Sequence, residues 1–366
     1  MLSRYEFIKK SSTFLLDPFF YLKKNKIYYI SAGADLHGQY YVFCVTNSNN
    51  LIYSINLPNR GHSIAINKKY KIAAVISRSP GTYIKIFDIK SGEILNNFLC
   101  LDGFHFYGHG FFSKNGRFLY VSENDFKNGK GYIGIYDSHN SYKIKKKYST
   151  NGIGPHEIAI LKNKNIAVIA SGGIRTHPKT GKTKLNLQDM ISKISFIDLI
   201  SGMIIKENYL NSEFKSMSIR HLDVSETNIV AFAMQYKGFG EKLYPLVGIC
   251  DLFNDIQLFD VPVEILYRMQ NYCGSICFDL SGEIIAVSNP RGGIVTFWDV
   301  KYKKYLSLFE IADGCGLAPC QEPKTFCISN GYGQLIKYSL INNKKEIIMN
   351  NNNIKWDNHL VSFGNI

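Results

Sequence analysis

Short apolar runs alternate with turn-forming clusters along this chain, and the runs come in sets. One set opens at Gly108-His109-Gly-Phe-Phe, continues through Phe118-Leu-Tyr-Val-Ser122, crosses a Gly-rich turn and ends at Tyr132-Ile-Gly-Ile-Tyr136-Asp137. Runs this short, alternating or apolar and bounded by Gly, Asn and Pro, read as strands rather than helices. The set recurs. Gly61-His62 leads to Ile72–Ser77 and Tyr83–Asp88, and Pro155-His156 leads to 166–171 and 194–198. Arg220-His221, Gly274-Ser275 and Gly314-Cys315 open three further sets, at 229–251, 284–299 and 325–338. A more polar fourth run follows each set.

Four-stranded units repeated in this way are the blades of a propeller. A seventh start stands at His359, in Asn358-His359-Leu-Val-Ser-Phe363, with room for one strand before the chain ends. The three strands it lacks stand at the other end, at 27–31, 40–45 and 51–57. The fold expected is therefore all-β: one seven-bladed β-propeller over 27–366, WD40/YVTN-like, closed by pairing the C-terminal strand with the N-terminal blade. The widest spacing between starts separates His156 from His221. It is due to an insertion at about 172–190, expected as a hairpin between the second and third strands of its blade. Insertions of this size tend to be functional lids or disordered.

Composition adjusts the picture in three places. Of 366 residues, 45% are hydrophobic and 14% aromatic, which suits half-buried pleated surfaces. The formal net charge is +14, but the lysines are spread through turns, so a solvated surface is expected and no nucleic-acid partner. The densest group, Lys143 to Lys147, reads as an outer edge strand. There is no apolar run of spanning length, so no transmembrane segment is expected. The eight cysteines form no Cys-x-x-Cys pair, which excludes zinc-ribbon and thioredoxin chemistry. Cys273 and Cys277, read as sharing a strand, would stand about 13 Å apart, too far for a disulfide. Cys315 and Cys320 are the one pair placed to bridge across a loop. A monomer is expected.

Residues 1–26 do not read as propeller. Ser3-Arg4-Tyr5-Glu6-Phe7-Ile8-Lys9 resembles the twin-arginine export motif, with Tyr5 where the second arginine belongs and an apolar stretch cut by Asp17-Pro18. Three readings stand: a degenerate export signal giving a periplasmic protein, an uncleaved anchor, or a decayed signal on a cytoplasmic protein.

Candidate chemistry begins with the repeat register itself. His62, His109, His156, His221 and His359 occupy one position, and Ser275 and Cys315 fill the other two. That position opens the innermost strand of each blade, so its side chains ring one mouth of the central channel. Imidazoles and a thiol converging there suit a ligand or a transition metal, with His109, His156 and His221 as the metal candidates. WD40 propellers also carry Gly-His here, as a structural residue tied to a Ser on the second strand and an Asp in the next turn. The serines exist (Ser77, Ser122, Ser171, Ser288, Ser329), but the turns read Pro80-Gly81, Asn128-Gly-Lys-Gly131 and Pro290-Arg-Gly-Gly293. Polar residues just after the second strands form a second constellation: Arg78, Glu123-Asn124-Asp125, Arg175-Thr176-His177 and Arg291. Arg220 and Glu157 flank register histidines. Arginines in a concave mouth suit bidentate recognition of carboxylate or phosphate. Gly181-Lys182-Thr183 is no phosphate loop, because position 176, where such a loop needs Gly, is Thr176.

Several strings resemble the bacterial family catalogued as domain of unknown function 1513. They are His105-Phe-Tyr-Gly-His-Gly-Phe-Phe-Ser113, Gly152-Ile-Gly-Pro-His-Glu157, the segment from Gly172 to Asn186, Ser218-Ile-Arg-His-Leu222 and Ser288-Asn-Pro-Arg-Gly-Gly293. The resemblance spans about residues 27–345. It implies an exported propeller set beside imelysin-like and ferrous-iron-uptake proteins of the cell envelope, and it implies no reaction. The expectation is thus a non-enzymatic envelope protein, binding a ligand or partner at the channel mouth, in iron acquisition. The mouth set is His62, His109, His156, Glu157, Arg175, Arg220, His221, Arg291, Cys315 and His359. The rival is a lactonase-like enzyme with Glu157 as general base and Arg175 at an oxyanion. A third reading is a scaffold that binds proteins through blade edges or the insertion.

Overall fold

The computed structural model describes residues 26–364, apart from Lys182 and Glu241. The segment read as an export signal therefore lies, except for Lys26, outside the described residues. No described helix is long and apolar enough to cross a membrane.

Seven antiparallel sheets form the ring, each ordered along the chain from inner to outer strand except where the ends meet. Blade 1 holds Tyr28–Ala34, Tyr40–Thr46 and Leu51–Leu57. The inner strands of blades 2 to 7 are Gly61–Asn67, Phe104–Phe112, Pro155–Ile160, Met217–Val224, Ser275–Phe278 and Gly314–Pro319. Two short C-terminal strands, Lys355–Trp356 and Val361–Phe363, both pair with Tyr28–Ala34 and complete blade 1. The closing strand is thus split, with His359 in the gap. Tyr28 stacks on Phe363 at 5.3 Å across the closure.

Nearly continuous apolar runs bury both faces of the middle strands against neighbouring blades. Between blades 2 and 3, Ile76, Ile84 and Ile86 pack with Phe106, Leu119 and Val121. A larger cluster unites blades 4 to 6 around Phe196, Phe232 and Trp298, all fully buried. Each such side chain contributes about 1.5–3 kcal/mol by leaving water. Outer strands are more polar. Lys143–Ser149 is the outer strand of blade 3, and its lysines blunt the edge. Lys147 turns inward instead, pairing with buried Glu123 at 2.7 Å.

Four expectations change. The insertion after Ser171 is not a hairpin: it folds as an ordered loop with single turns at Pro178–Thr180 and Leu187–Asp189. Asn186 holds it together, accepting from the Arg175 amide and donating to the Gly173 carbonyl. Cys273 precedes the inner strand of blade 6 rather than lying on it. Cys315 and Cys320 are both free thiols, buried in one core cluster between blades 7 and 1. The fourth change concerns blades 3 and 5. Their inner strands begin well before the register histidine, so His109 and His221 sit mid-strand.

Candidate functional site

The inner strands share an irregularity at the register position. Pairing with the second strand slips between Gly61 and Ile64, Phe106 and Gly110, Pro155 and Glu157, Ile219 and His221, and Gly314 and Leu317. Each slip leaves extra residues on the inner strand, the signature of a β-bulge, which re-aims side chains. In blade 1 the gap between Trp356 and Val361 does the same for His359.

The re-aimed histidines meet in the channel. Ring centroids stand 4.8 Å apart for His62 and His109, 4.5 Å for His62 and His359, and 4.6 Å for His109 and His359. His156 lies 4.8 Å from His221, and His221 lies 5.0 Å from His359 across the ring. The five consecutive blades 1 to 5 thus supply one imidazole cluster. The two short residues of the register do not join it. Ser275 is buried, and the Cys315 thiol donates to the carbonyls of Ser329 and Trp356, each at 3.6 Å.

Two carboxylates orient the rings. Asp357 meets Nδ1 of His62 at 3.2 Å and also pairs with Arg60. Glu157 meets Nδ1 of His221 at 3.0 Å with one oxygen and Nδ1 of His109 at 3.3 Å with the other. Its first oxygen also accepts from the Leu222 amide. The WD40 tie is absent: Ser122 Oγ donates to the His109 backbone carbonyl, fixing the bulge and not the ring. Burial pushes His62 down to about 3, against the opposing pull of Asp357. Burial also lowers His156, His221 and His359; Arg220 and neighbouring imidazoles add to it at His156, neighbouring imidazoles at His359, and Glu157 opposes it at His221 and His359. Burial raises the Glu157 carboxyl, but His109 and His221 override it and hold Glu157 well below the usual carboxylate range.

On one side of the cluster a cavity of about 300 Å³ opens. Its floor is His62, His156 and His221, and its walls carry Arg78, Lys184, Arg220, Lys237 and Arg291. No Asp or Glu is among the described residues lining it. Arg291 lies over the Tyr272 ring at 4.2 Å. Arg220 Nε is buried and makes no hydrogen bond. Burial and the nearby Arg220, Lys184 and Arg291 charges depress Lys237 to about 6. Burial also lowers Arg78, with Arg60 adding to it. The insertion forms part of the wall through Ile174, Thr176, Gly181 and Lys184. Larger clefts of about 710 and 580 Å³ lie on the blade 5 periphery; the first mixes lysines with Asp and Glu, and the second carries Glu207, Asp255 and Asp260 with no lysine among its described lining residues.

The structure therefore brings together the five register histidines, Glu157, Arg220 and Arg291. It does not bring Arg175 to the mouth. That side chain is exposed and donates to the Lys127 carbonyl, pinning the insertion to a turn of blade 3. Nor do Glu123 and Asn124 reach it. Glu123 is paired inside blade 3, and Asn124 bonds His105 Nε2 at 3.0 Å. Asp357, Lys184 and Lys237 escaped sequence reasoning. Lys237 directly follows the second strand of blade 5, as Arg78 follows that of blade 2. The rule that found Arg78 applies equally there.

The family profile for "Protein of unknown function (DUF1513)" matches residues 55–363, which covers the register from His62 to His359. This chain belongs to the DUF1513 family. No curated protein matches it. Among solved structures it is similar to the hydrazine synthase of Kuenenia stuttgartiensis, with a TM-score of 0.61 at 12% identity, over 88% of this chain and 95% of that one. At that identity the likeness speaks for the fold alone. The DUF1513 chain is thus a seven-bladed propeller, and its site has to be read from its own residues.

Proposed function

We propose that this DUF1513 protein is a binding protein that captures a small oxyanion, a carboxylate or a phosphate, at the mouth of its central channel. One observation carries the reading. Five basic side chains, Lys237 among them, line a 300 Å³ cavity with no carboxylate among its described lining residues. Cations grouped without counter-charges repel one another, and Lys237, depressed first by burial, is lowered further by that repulsion. An anion relieves it. Guanidinium groups also match carboxylate and phosphate oxygens in pairs, and the unpartnered Arg220 Nε supplies a ready donor.

Binding has more support here than catalysis. The general base of a lactonase-like mechanism would be Glu157, yet both its oxygens are taken by imidazoles and an amide. The proposed oxyanion partner, Arg175, stands elsewhere. On the resemblance alone, the reading extends to iron acquisition at the cell envelope, with imelysin-like or iron-uptake proteins as partners.

Calorimetric titration with phosphate, succinate and citrate at low ionic strength tests the proposal. Micromolar to submillimolar binding by one of them, weakened at least tenfold in Arg220→Ala/Arg291→Ala, is expected. Absence of binding by all three at millimolar concentration overturns it.

A further inference from the structure

Below the cationic mouth, the imidazole cluster poses a separate problem of unsatisfied atoms. His109 Nε2, His156 Nδ1 and His359 Nε2 are buried and make no hydrogen bond. Buried polar atoms nearly always have a partner, so three orphans in one cluster need an account. A plain structural cluster would pair its rings with one another or with backbone. Here the outward nitrogens are the ones satisfied. Nδ1 of His62 faces Asp357, and Nδ1 of both His109 and His221 faces Glu157. A carboxylate at Nδ1 places the proton there and leaves the Nε2 lone pair directed inward. This is the outer arrangement that orients histidine ligands around a metal.

One nitrogen from each ring comes close enough to share an ion. His109, His156 and His221 bring one ring nitrogen each within 4.8 Å of the others, and His62, His109 and His359 do likewise. Nitrogens at about 2.0–2.1 Å from a tetrahedral ion stand about 3.3 Å apart. Ring movements of about an ångström would close either trio.

We infer that His109, His156 and His221 form a binding site for one divalent transition-metal ion, with Glu157 as its positioning residue. His109 belongs to both trios and is the indispensable ligand. His62 and His359 stand on its other side as replacement ligands. Three imidazoles without thiolate suit the ions that prefer nitrogen, such as Zn²⁺, Ni²⁺, Cu²⁺ or Fe²⁺, and not Mg²⁺ or Ca²⁺. His156 and His221 also line the mouth cavity, so an ion on this trio keeps an open position facing it. Three protein ligands and one open position are the pattern of exchangeable metal sites, in contrast to closed structural ones. The inference does not depend on the oxyanion reading, since it rests on different atoms.

Cobalt(II) is the probe. Full-length protein, dialysed against chelator, is titrated with CoCl₂ while visible absorption is recorded, and bound metal is counted by mass spectrometry. One cobalt per chain with the intense bands of four- or five-coordination is expected. His109→Ala should weaken binding by more than about 100-fold, and Glu157→Gln by about 10–100-fold with shifted bands. A Glu157 that merely supported the fold would leave the cobalt bands unchanged. Circular dichroism verifies that each variant folds, and the wild-type spectrum needs no variant. No stoichiometric cobalt at micromolar concentration, or a weak octahedral spectrum equally strong in folded His109→Ala, overturns the inference. Phosphate titration run in parallel keeps the two proposals apart: cobalt without phosphate binding leaves this site standing and removes the other.

Discussion

The carboxylate of Glu157 stands 3.0 Å from Nδ1 of His221, joining blade 4 to blade 5 inside the channel. Its other oxygen reaches His109 of blade 3. One side chain therefore ties three adjacent inner strands. Glu157→Ala leaves two buried ring nitrogens and the Leu222 amide without a partner. Hydrogen bonds to a charged group contribute about 1.5–3 kcal/mol each, and partial relaxation recovers some of it. A loss of about 2–4 kcal/mol in unfolding free energy is expected from denaturant titration. Glu157→Gln should lose less, because its amide oxygen still accepts.

Closure at blade 1 gives a second prediction. Phe363 is 3% exposed and stacks on Tyr28, and its strand is the last to pair. Phe363→Ala should cost about 3–5 kcal/mol. Truncation after Asn358 removes that strand and His359 together and reopens the ring edge. Melting should lose its single sharp transition in the truncated chain and keep it in Phe363→Ala.

Gly108 sits in the blade 3 bulge at φ +96°, a region other residues rarely adopt. A Cβ there would stand 2.6 Å from His62 Cδ2 and 2.9 Å from its Cβ. Gly108→Ala must displace the His62 side chain. Strain of this kind costs about 1–3 kcal/mol. The imidazole resonances of His62 and His109 should move in the NMR spectrum while those of exposed His37 stay put.

Lys237 gives a pH signature. Its ammonium pKa is depressed to about 6 from an ordinary value of 10.5. Between those values the unfolded chain holds the proton and the folded one does not. The sign follows: this group lowers stability as pH falls from 10.5 toward 6, and Lys237→Met should flatten that dependence. A bound oxyanion restores the charged form. Phosphate binding near pH 7.5 should take up close to one proton per site. Calorimetry in two buffers of different ionisation enthalpy measures it, and Lys237→Met should abolish that uptake.

The ring was legible because its repeats carry one residue type at one position. His62, His109, His156, His221 and His359 mark the channel, and with Ser275 and Cys315 at the same position they count the seven blades. The continuous apolar runs in Ile72–Ser77 and Ile284–Asn289 placed the middle strands, because burial on both faces demands them. Loop geometry was not legible. Arg175 and Lys184 lie in one insertion, yet the first turns toward Lys127 and the second toward the cavity. Hydrogen bonds from Asn186 decide that, and no periodicity encodes them. Asp357 was missed because its partner His62 is nearly the whole chain away, and only ring closure brings them together.

The central claim is that the channel mouth holds an oxyanion, and an anomalous scatterer tests it most directly. Crystals of the full chain grown with selenate in place of sulfate should show a selenium peak in the cavity bounded by Arg78, Arg220 and Arg291. The same experiment on Arg220→Ala/Arg291→Ala should show none there. Selenium found only on exposed surface lysines, with the wild-type mouth holding water alone, would contradict the account.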